Sequence, residues 1–283
     1  MMALDPAVFA PVWQTVRELI PPVVDTHPLG CHRRRVPDEV CWRGIVIRLA
    51  FGCSWVDAGR IVGVGGTTLR DRRREWLHAG VFRQLVDQAL EAYDRMIGLD
   101  LTEIQIDSSQ HKAPTGGSGT GPNRCDRAKL GYKWSLATEA NGIPVGWVVD
   151  AANVHDQRLV DDTVDAVDAR GYEIEIEQAH LDRGYDSLKV RALFADSGID
   201  AHIDHRAKPQ RRKNRTRAKN PIKLGVRWRI ERANSWMANF GQLRRSTERR
   251  VLHREANLDL AIAIILTNKL VIWSNCHGAT IYT

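Results

Sequence analysis

Thr102-Glu103-Ile104-Gln105-Ile106-Asp107 alternates apolar and polar side chains over six residues. Side chains of a strand point to opposite faces in turn, so Ile104 and Ile106 mark a buried face and Gln105 and Asp107 the other. Two more strands are predicted at 132–139 and 145–149, joined by Asn141-Gly142, a dipeptide that favours the tight turn of a hairpin. Asp156 is placed to cap a helix running to about 170. A fourth strand over 174–181 stops at Asp182-Arg183-Gly184, a helix over 187–195 follows, and a fifth strand covers 199–203. Three strands, then helix, strand, helix, strand, predict an α/β fold: a mixed sheet flanked by helices, of the ribonuclease H type.

Upstream the period changes. Residues 38–51 predict a helix, and Ser54 caps a second over 55–61. After the turn Gly63-Val64-Gly65-Gly66, Thr67 caps a third over 68–77 that carries Arg70, Arg72, Arg73 and Arg74. Two short helices around a glycine turn, the second rich in cations, match a helix-turn-helix at about 54–78. Its arginines are expected on the exposed face, against DNA. A small helical bundle with solvated arginines reads from the same residues. Residues 81–96 predict an amphipathic connecting helix. The expected division is an all-helical DNA-binding domain, 1–99, and an α/β domain, 100–283.

The loop at 115–121 is rich in glycine but is followed by Pro122 and Asn123 rather than Lys and Ser or Thr. It is therefore not a nucleotide-phosphate loop and is expected to be a flexible connector. Five cysteines, Cys31, Cys41, Cys53, Cys125 and Cys276, include no pair at metal or redox spacing. The N-terminus has no basic region leading into an apolar stretch, and the apolar segment 258–273, broken by Asn268 and Lys269, is expected to be a buried helix too short for a bilayer. A cytoplasmic protein with no membrane partner is expected.

Apolar residues make up 43% of the 283 and charged residues 27%, with a net charge of +7, so a polyanionic partner is favoured. The charge is concentrated. Between His205 and Lys219 lie Arg206, Lys208, Arg211, Arg212, Lys213, Arg215, Arg217 and Lys219 with no acid, inside a basic insertion at about 205–225. Arg244, Arg245, Arg249, Arg250 and Arg254 extend the basic surface. Such a run binds phosphates through counterion release.

Three carboxylates stand where this fold would gather them: Asp107 at the end of the first strand, Asp182 at the end of the fourth, and Glu231 on a later helix. Val226, Ile230, Ala233, Met237 and Phe240 form that helix's buried stripe, and Glu231 is one step, about 100°, off it. Arg227 is one turn earlier on the same side, placed to hold Glu231 or a phosphate. Carboxylates from three elements are what two divalent ions about 4 Å apart require to serve both oxygens of a phosphodiester displacement. On spacing alone the same residues also read structurally, with Asp182 and Asp186 as helix caps and Glu231 paired with Arg227.

The motifs taken in order resemble the DDE transposases of bacterial insertion sequences, in the family named after insertion sequence five. The resemblance runs from about Asp38 to Leu270. It rests on Asp107-Ser108-Ser109, Gly121-Pro122-Asn123, Asp126-Arg127, Lys129-Leu130-Gly131 with Lys133, Gly142-Ile143-Pro144 and Asn153-Val154-His155-Asp156. Leu181-Asp182-Arg183-Gly184-Tyr185-Asp186 resembles the second acidic motif and Arg227-Trp228-Arg229-Ile230-Glu231-Arg232 the third, extended by Asn234-Ser235-Trp236 and Leu243-Arg244-Arg245. The resemblance implies a ribonuclease H-like catalytic core and a transposase that binds terminal inverted repeats. It implies magnesium, two ions with manganese able to replace them, held by Asp107, Asp182 and Glu231, with Asp107 bridging. Arg227 and Asp156 are implied as supporting residues. Arg70, Arg72, Arg73, Arg74, Arg211, Arg212, Lys213, Arg244 and Arg245 are the expected DNA contacts.

The implied partners are double-stranded DNA, as element ends and as target, and a second copy of the chain in the DNA complex. A bacterial cytoplasmic protein, nucleoid-associated on DNA, is implied. Two positions depart from the pattern: Ala238 stands where a lysine is usual and Leu224 where a tyrosine is usual, which leaves Arg244 or Arg245 to substitute. A structure-selective nuclease would use the same carboxylates without the joining step, but the helix-turn-helix favours a sequence-specific substrate. A DNA-binding regulator without catalysis is disfavoured by the presence of all three acids.

Overall fold

The computed structural model describes residues 2–23, 34–203 and 227–278. Five helices come first: α1 (Pro6–Leu19), α2 (Asp38–Phe51), α3 (Trp55–Val62), α4 (Gly66–His78) and α5 (Val81–Met96). The sheet follows with β1 (Glu103–Lys112), β2 (Gly121–Asn123), β3 (Lys129–Thr138) and β4 (Pro144–Ala151). Then come α6 (Val160–Asp168), β5 (Gln178–Leu181), α7 (Leu188–Asp196) and β6 (Asp200–Ile203), and finally α8 (Trp228–Ala238), α9 (Gly241–Arg244) and α10 (Val251–His277).

β4, β3 and β1 are successive antiparallel neighbours, and β5 and β6 then add in parallel to β1. This is the mixed sheet flanked by helices that the order of elements predicts. Ile104 and Ile106 are buried with Ala137, Val145, Ala179 and Leu181 under α6 and α7. Gly142 turns the β3–β4 hairpin at φ 81°, a left-handed conformation that glycine adopts without steric cost. The buried Glu139 carboxylate steadies that turn by accepting from the backbone N–H groups of Asn141 and Ile143.

Several sequence expectations shift. β1 runs five residues past Asp107 because its antiparallel pairing with β3 continues from Asp107↔Leu136 to Lys112↔Gly131. α4 begins at Gly66 rather than after a Thr67 cap. The loop at 115–121 is pinned instead of being a loose connector. Ser118 N–H donates to the Arg249 carbonyl, and the Arg254 guanidinium donates to the carbonyls of Ser118 and Gly116. A Cβ at Gly117 would lie 2.0 Å from the Arg249 carbonyl oxygen, so only glycine permits that approach. Arg254 is therefore a buried tether, not part of the basic surface.

The apolar C-terminal segment is also longer than expected. α10 has 27 residues and is long and apolar enough to cross a membrane, yet 72% of its apolar window is buried in the fold. It packs against α5 and α1. One hydrophobic core joins α1–α5 to α8–α10 and to the sheet face that carries Tyr132, Trp134 and Leu136. The boundary at 99/100 is a change of secondary structure and not a break in packing.

α2 and α4 are fastened to this body by ions. Arg48 of α2 and Arg73 of α4 meet the buried Glu248 carboxylate at 2.7 and 2.9 Å, and His253 approaches it at 3.2 Å. Burial alone would raise the Glu248 carboxyl, but the His253 hydrogen bond and the charges of Arg73 and Arg48 outweigh it and hold it at about 2. Arg73 also donates to the His253 carbonyl and to Asn257. Arg72 donates to Asp38 and to the Val36 carbonyl. Both arginines are buried, which corrects their expected place on the DNA-facing side of α4: their guanidiniums are spent on the protein's own acids and carbonyls.

Glu248→Gln should destabilise the fold by about 3–5 kcal/mol in urea unfolding, because two buried guanidiniums lose their counter-charge. The depressed carboxyl contributes stability that is complete above the unfolded value and is lost as pH falls from the ordinary carboxylate range through about 2. The mutational difference should therefore shrink in that window. A variant as stable as the parent at pH 7 would contradict the account.

Candidate active site

β1 and β5 run in the same direction, with Ile106 paired to Leu181. The next residue on each strand, Asp107 and Asp182, thus emerges at the same level and on the same face of the sheet. β5 ends there: Asp182 Oδ1 accepts from the Arg183 N–H at 2.8 Å and starts a short 3-10 turn, Arg183–Tyr185. Asp182 does cap something, but it is this turn. Ser187 caps α7, and Asp186 pairs with Arg191 at 3.0 Å.

Burial raises the Asp107 carboxyl to about 6, and the nearby charges of Asp156 and Asp182 push the same way. The Ser108 N–H and Arg227 oppose them without cancelling them. Three acids therefore converge electrically, and the third is Asp156 rather than Glu231. Asp156 is not the cap of α6, which starts four residues later. Its carboxylate instead takes a hydrogen bond at 2.5 Å from Lys133 Nζ, a nearly inaccessible ammonium that also donates to the Val154 carbonyl at 2.6 Å. Gln157 Nε2 donates to the Gly184 carbonyl at 2.9 Å and ties this segment to the Asp182 turn. Tyr185 is buried, with its hydroxyl 3.1 Å from Ser108 Oγ. Burial and then the Asp107 charge keep that phenol protonated, well above its ordinary value.

α8 lies over β1 and β3. Ile230, Ala233, Met237 and Phe240 form its buried stripe as expected; Val226 falls outside the described residues. Trp134 Nε1 donates to Asn234 at 2.7 Å, Arg232 donates to the Asn141 carbonyl at 2.6 Å, and Arg229 meets Glu103 at 3.5 Å. Arg227 pairs with Asp182 at 3.1 Å, which corrects the expected pairing with Glu231. Glu231 occupies an exposed position on α8, and no described hydrogen bond or ion pair joins it to Asp107 or Asp182. Among the described residues no three His, Cys, Asp or Glu side chains are close enough together to hold a metal ion. Asp107 and Asp182 do fit a hard cation, since both offer carboxylate oxygens and the mutual repulsion at Asp107 would be relieved by one.

Of the expected DNA contacts, Arg70, Arg74, Arg244 and Arg245 are exposed. Arg211, Arg212 and Lys213 lie outside the described residues, as does Leu224. Sequence reasoning missed Arg34, Arg35 and Arg60, which line a cavity of about 610 Å³ together with Arg72 and the turn glycines Gly63 and Gly65. It also missed the structural part of Lys133. A lysine inside the run Tyr132-Lys133-Trp134-Ser135-Leu136 was the available signal, because a charge within an otherwise buried strand requires a partner.

A mixed sheet of this order carries two carboxylates where the parallel pairing of β1 with β5 stops. Residues 99–266 match the family described as transposase DDE domain, and the chain belongs to that family of DNA transposases. It is 34% identical over 157 residues to a Burkholderia cepacia protein named as a transposase for insertion sequence element IS402, covering 53% of this chain and 70% of the relative. A second Burkholderia cepacia protein, an uncharacterized 16.2 kDa protein of the same element, is 28% identical over 111 residues, covering 39% of this chain and 76% of its own. A crystal structure of a pre-cleavage Mos1 transpososome overlaps 88% of this chain and 82% of its own at 7% identity, with a TM-score of 0.27.

Asp107→Asn should stabilise the protein in chelator. The folded carboxyl is raised, so the wild type loses stability as pH climbs from the unfolded value of about 4 through about 6. The Asn variant escapes that loss, and its melting temperature should exceed the parent's at pH 8 and match it near pH 4. Equal melting curves at pH 8 would show that Asp107 carries no such penalty.

Proposed function

We propose that this transposase binds the terminal inverted repeats of an insertion sequence of the insertion-sequence-five group, cuts a strand at the element end, and joins the new 3′-hydroxyl to target DNA. The observation that carries the reading is the placement of Asp107 and Asp182 side by side where the parallel pairing of β1 with β5 stops, with burial first and then like charge raising Asp107. Asp107 and Asp182, joined by Glu231 from α8, are the residues that would hold two divalent ions, magnesium or manganese in its place. Such ions would supply positive charge to the attacking and leaving oxygens of an in-line displacement at phosphorus. Lys133 holds Asp156 beside them, and the buried Tyr185 meets Ser108, the residue after Asp107. Arg227 neutralises Asp182 in the present arrangement, and on release its guanidinium suits a DNA phosphate.

The helix-turn-helix would read the repeat through Arg70 and Arg74, with Arg34, Arg35 and Arg60 on the backbone, while the basic insertion at 205–225 with Arg244 and Arg245 would take the DNA past the acids. Residues 1–99 then serve as the end-binding part and 100–283 as the catalytic part. Bringing two ends together calls for two copies of the chain, acting in the bacterial cytoplasm on the nucleoid.

Asp182→Asn should abolish magnesium-dependent nicking and joining of labelled element-end DNA while folding and DNA binding persist; retained strand transfer would contradict the assignment. Cutting without joining by the wild type would instead identify a nuclease. In binding titrations over a salt series, Arg70→Ala and Arg74→Ala should each reduce the salt slope by about one, whereas Arg72→Ala should lower the melting temperature. A salt slope unmoved by both exposed variants would exclude α4 from the DNA interface.

A further inference from the structure

A cavity of about 540 Å³ opens between α8 and α10. Its lining includes Trp236 of α8, Phe240 just beyond that helix, and Ile265, Asn268, Lys269 and Ile272 of α10. The four α10 residues recur at i, i+3, i+4 and i+7 and so share one face. Arg227, which holds Asp182, lies about 180° around the helix axis from Trp236. The cavity is therefore on the side of α8 turned away from the acids.

α10 is otherwise a core helix, yet this face is open: Ile272 is 55% exposed and Lys269 is half-buried. The Lys269 ammonium lies over the Trp236 ring at 4.0 Å, and the Arg232 guanidinium lies over the same ring at 4.8 Å. Two cations thus meet at one indole. Among the described residues no hydrogen bond or ion pair reaches the Lys269 ammonium. Burial and then the Arg232 charge lower its pKa, with Glu139 opposing them. Glu139 is committed elsewhere, because its carboxylate accepts from the backbone N–H groups of Asp100, Asn141 and Ile143. A lysine ordinarily keeps its ammonium in water or pairs it with an acid. Here the charge is held at an apolar cavity with no acid bonded to it.

An anion would complete that charge. The volume is in the range of small-molecule sites, and an apolar lining with a few convergent polar groups is their usual make-up. A phosphodiester strand suits such walls poorly, since its charges lose water without gaining partners. A single anionic group on an aliphatic chain matches both parts, the ammonium and the walls of Phe240, Ile265 and Ile272.

We propose that this cavity is a binding site for an alkyl carboxylate, with the carboxylate on the Lys269 ammonium and the Asn268 amide and the chain against Phe240, Ile265 and Ile272. The site is separate from Asp107 and Asp182 and does not rest on the DNA reading above.

The test is isothermal titration of the full-length protein, without DNA, by octanoate and by uncharged octan-1-ol. The alkyl chain is common to both, so the ratio of their affinities isolates the carboxylate. The wild type should bind octanoate about tenfold or more tightly than octanol, the difference expected of a charged hydrogen bond. Hexanoate should bind about fifteenfold more weakly than octanoate, or about fourfold per methylene. Lys269→Met keeps the alkyl stem and removes the charge. It should bring octanoate down to the affinity of octanol, with octanol binding and melting temperature unchanged, while Lys269→Arg keeps the preference. Ile272→Asp, at an exposed position, should weaken octanoate more than octanol. The same preference persisting in Lys269→Met would overturn the site, as would a wild type that fails to bind octanoate. Octanoate that turns a dimer into monomers on gel filtration would assign the groove to contact between copies and overturn the proposal.

Discussion

The parallel pairing of β1 with β5 is the constraint on which the rest of the molecule depends. It is a short pairing, of four residues on each strand, yet it sets the level at which Asp107 and Asp182 leave the sheet. Two parallel strands cannot be joined by a tight turn, so the chain between them is committed to a long excursion. β2, β3, β4 and α6 are that excursion, and parts of it return to the site. β3 supplies Lys133, the segment before α6 supplies Asp156 and Gln157, and β3 with β1 forms the floor on which α8 rests. A slip of one residue between β1 and β5 would turn the two carboxylates to opposite faces.

The second organising interaction lies on the helical side. Glu248 carries a buried charge that the body of the protein shares with Arg48 of α2 and Arg73 of α4. A charged group out of water is tolerated only when fully paired, so this contact fixes where α2 and α4 sit against α10. The orientation of any DNA held by Arg70 and Arg74 is thereby linked to the position of the acids. The pinned glycine loop at 115–121 belongs to the same arrangement, because Arg254 of α10 reaches both Glu248 and that loop through backbone carbonyls.

Much of this was legible in the sequence. Alternation around Ile104 and Ile106 places β1, Asn141-Gly142 places the hairpin, and the 3.6-residue spacing of Ile230, Ala233 and Met237 gives the inner face of α8. What escaped was set by partners far away in sequence. Arg72 and Arg73 read as surface cations because their acids, Asp38 and Glu248, lie 34 and 175 positions away. The stretch 121–123 forms a strand only because β3 is there to pair with it. α1 was missed altogether, and its helix is identified by packing on α10 and α5 more than by its own pattern. Of the acidic trio, the two members on adjacent strands are brought together, since strand register follows from alternation. Glu231 depends on how a helix seats on the sheet, which no local pattern encodes. Arg227 likewise reads as a neighbour of Glu231 along the helix, while the folded chain gives it to Asp182.

The central claim is that Asp107 and Asp182 act together on a divalent ion. Manganese binding followed by electron paramagnetic resonance, on the whole chain without DNA, tests it most directly. The account predicts bound manganese in the wild type, displaced by magnesium, and loss of that binding in both Asp107→Asn and Asp182→Asn with the fold unchanged. Manganese bound equally by the wild type and by either variant would contradict it.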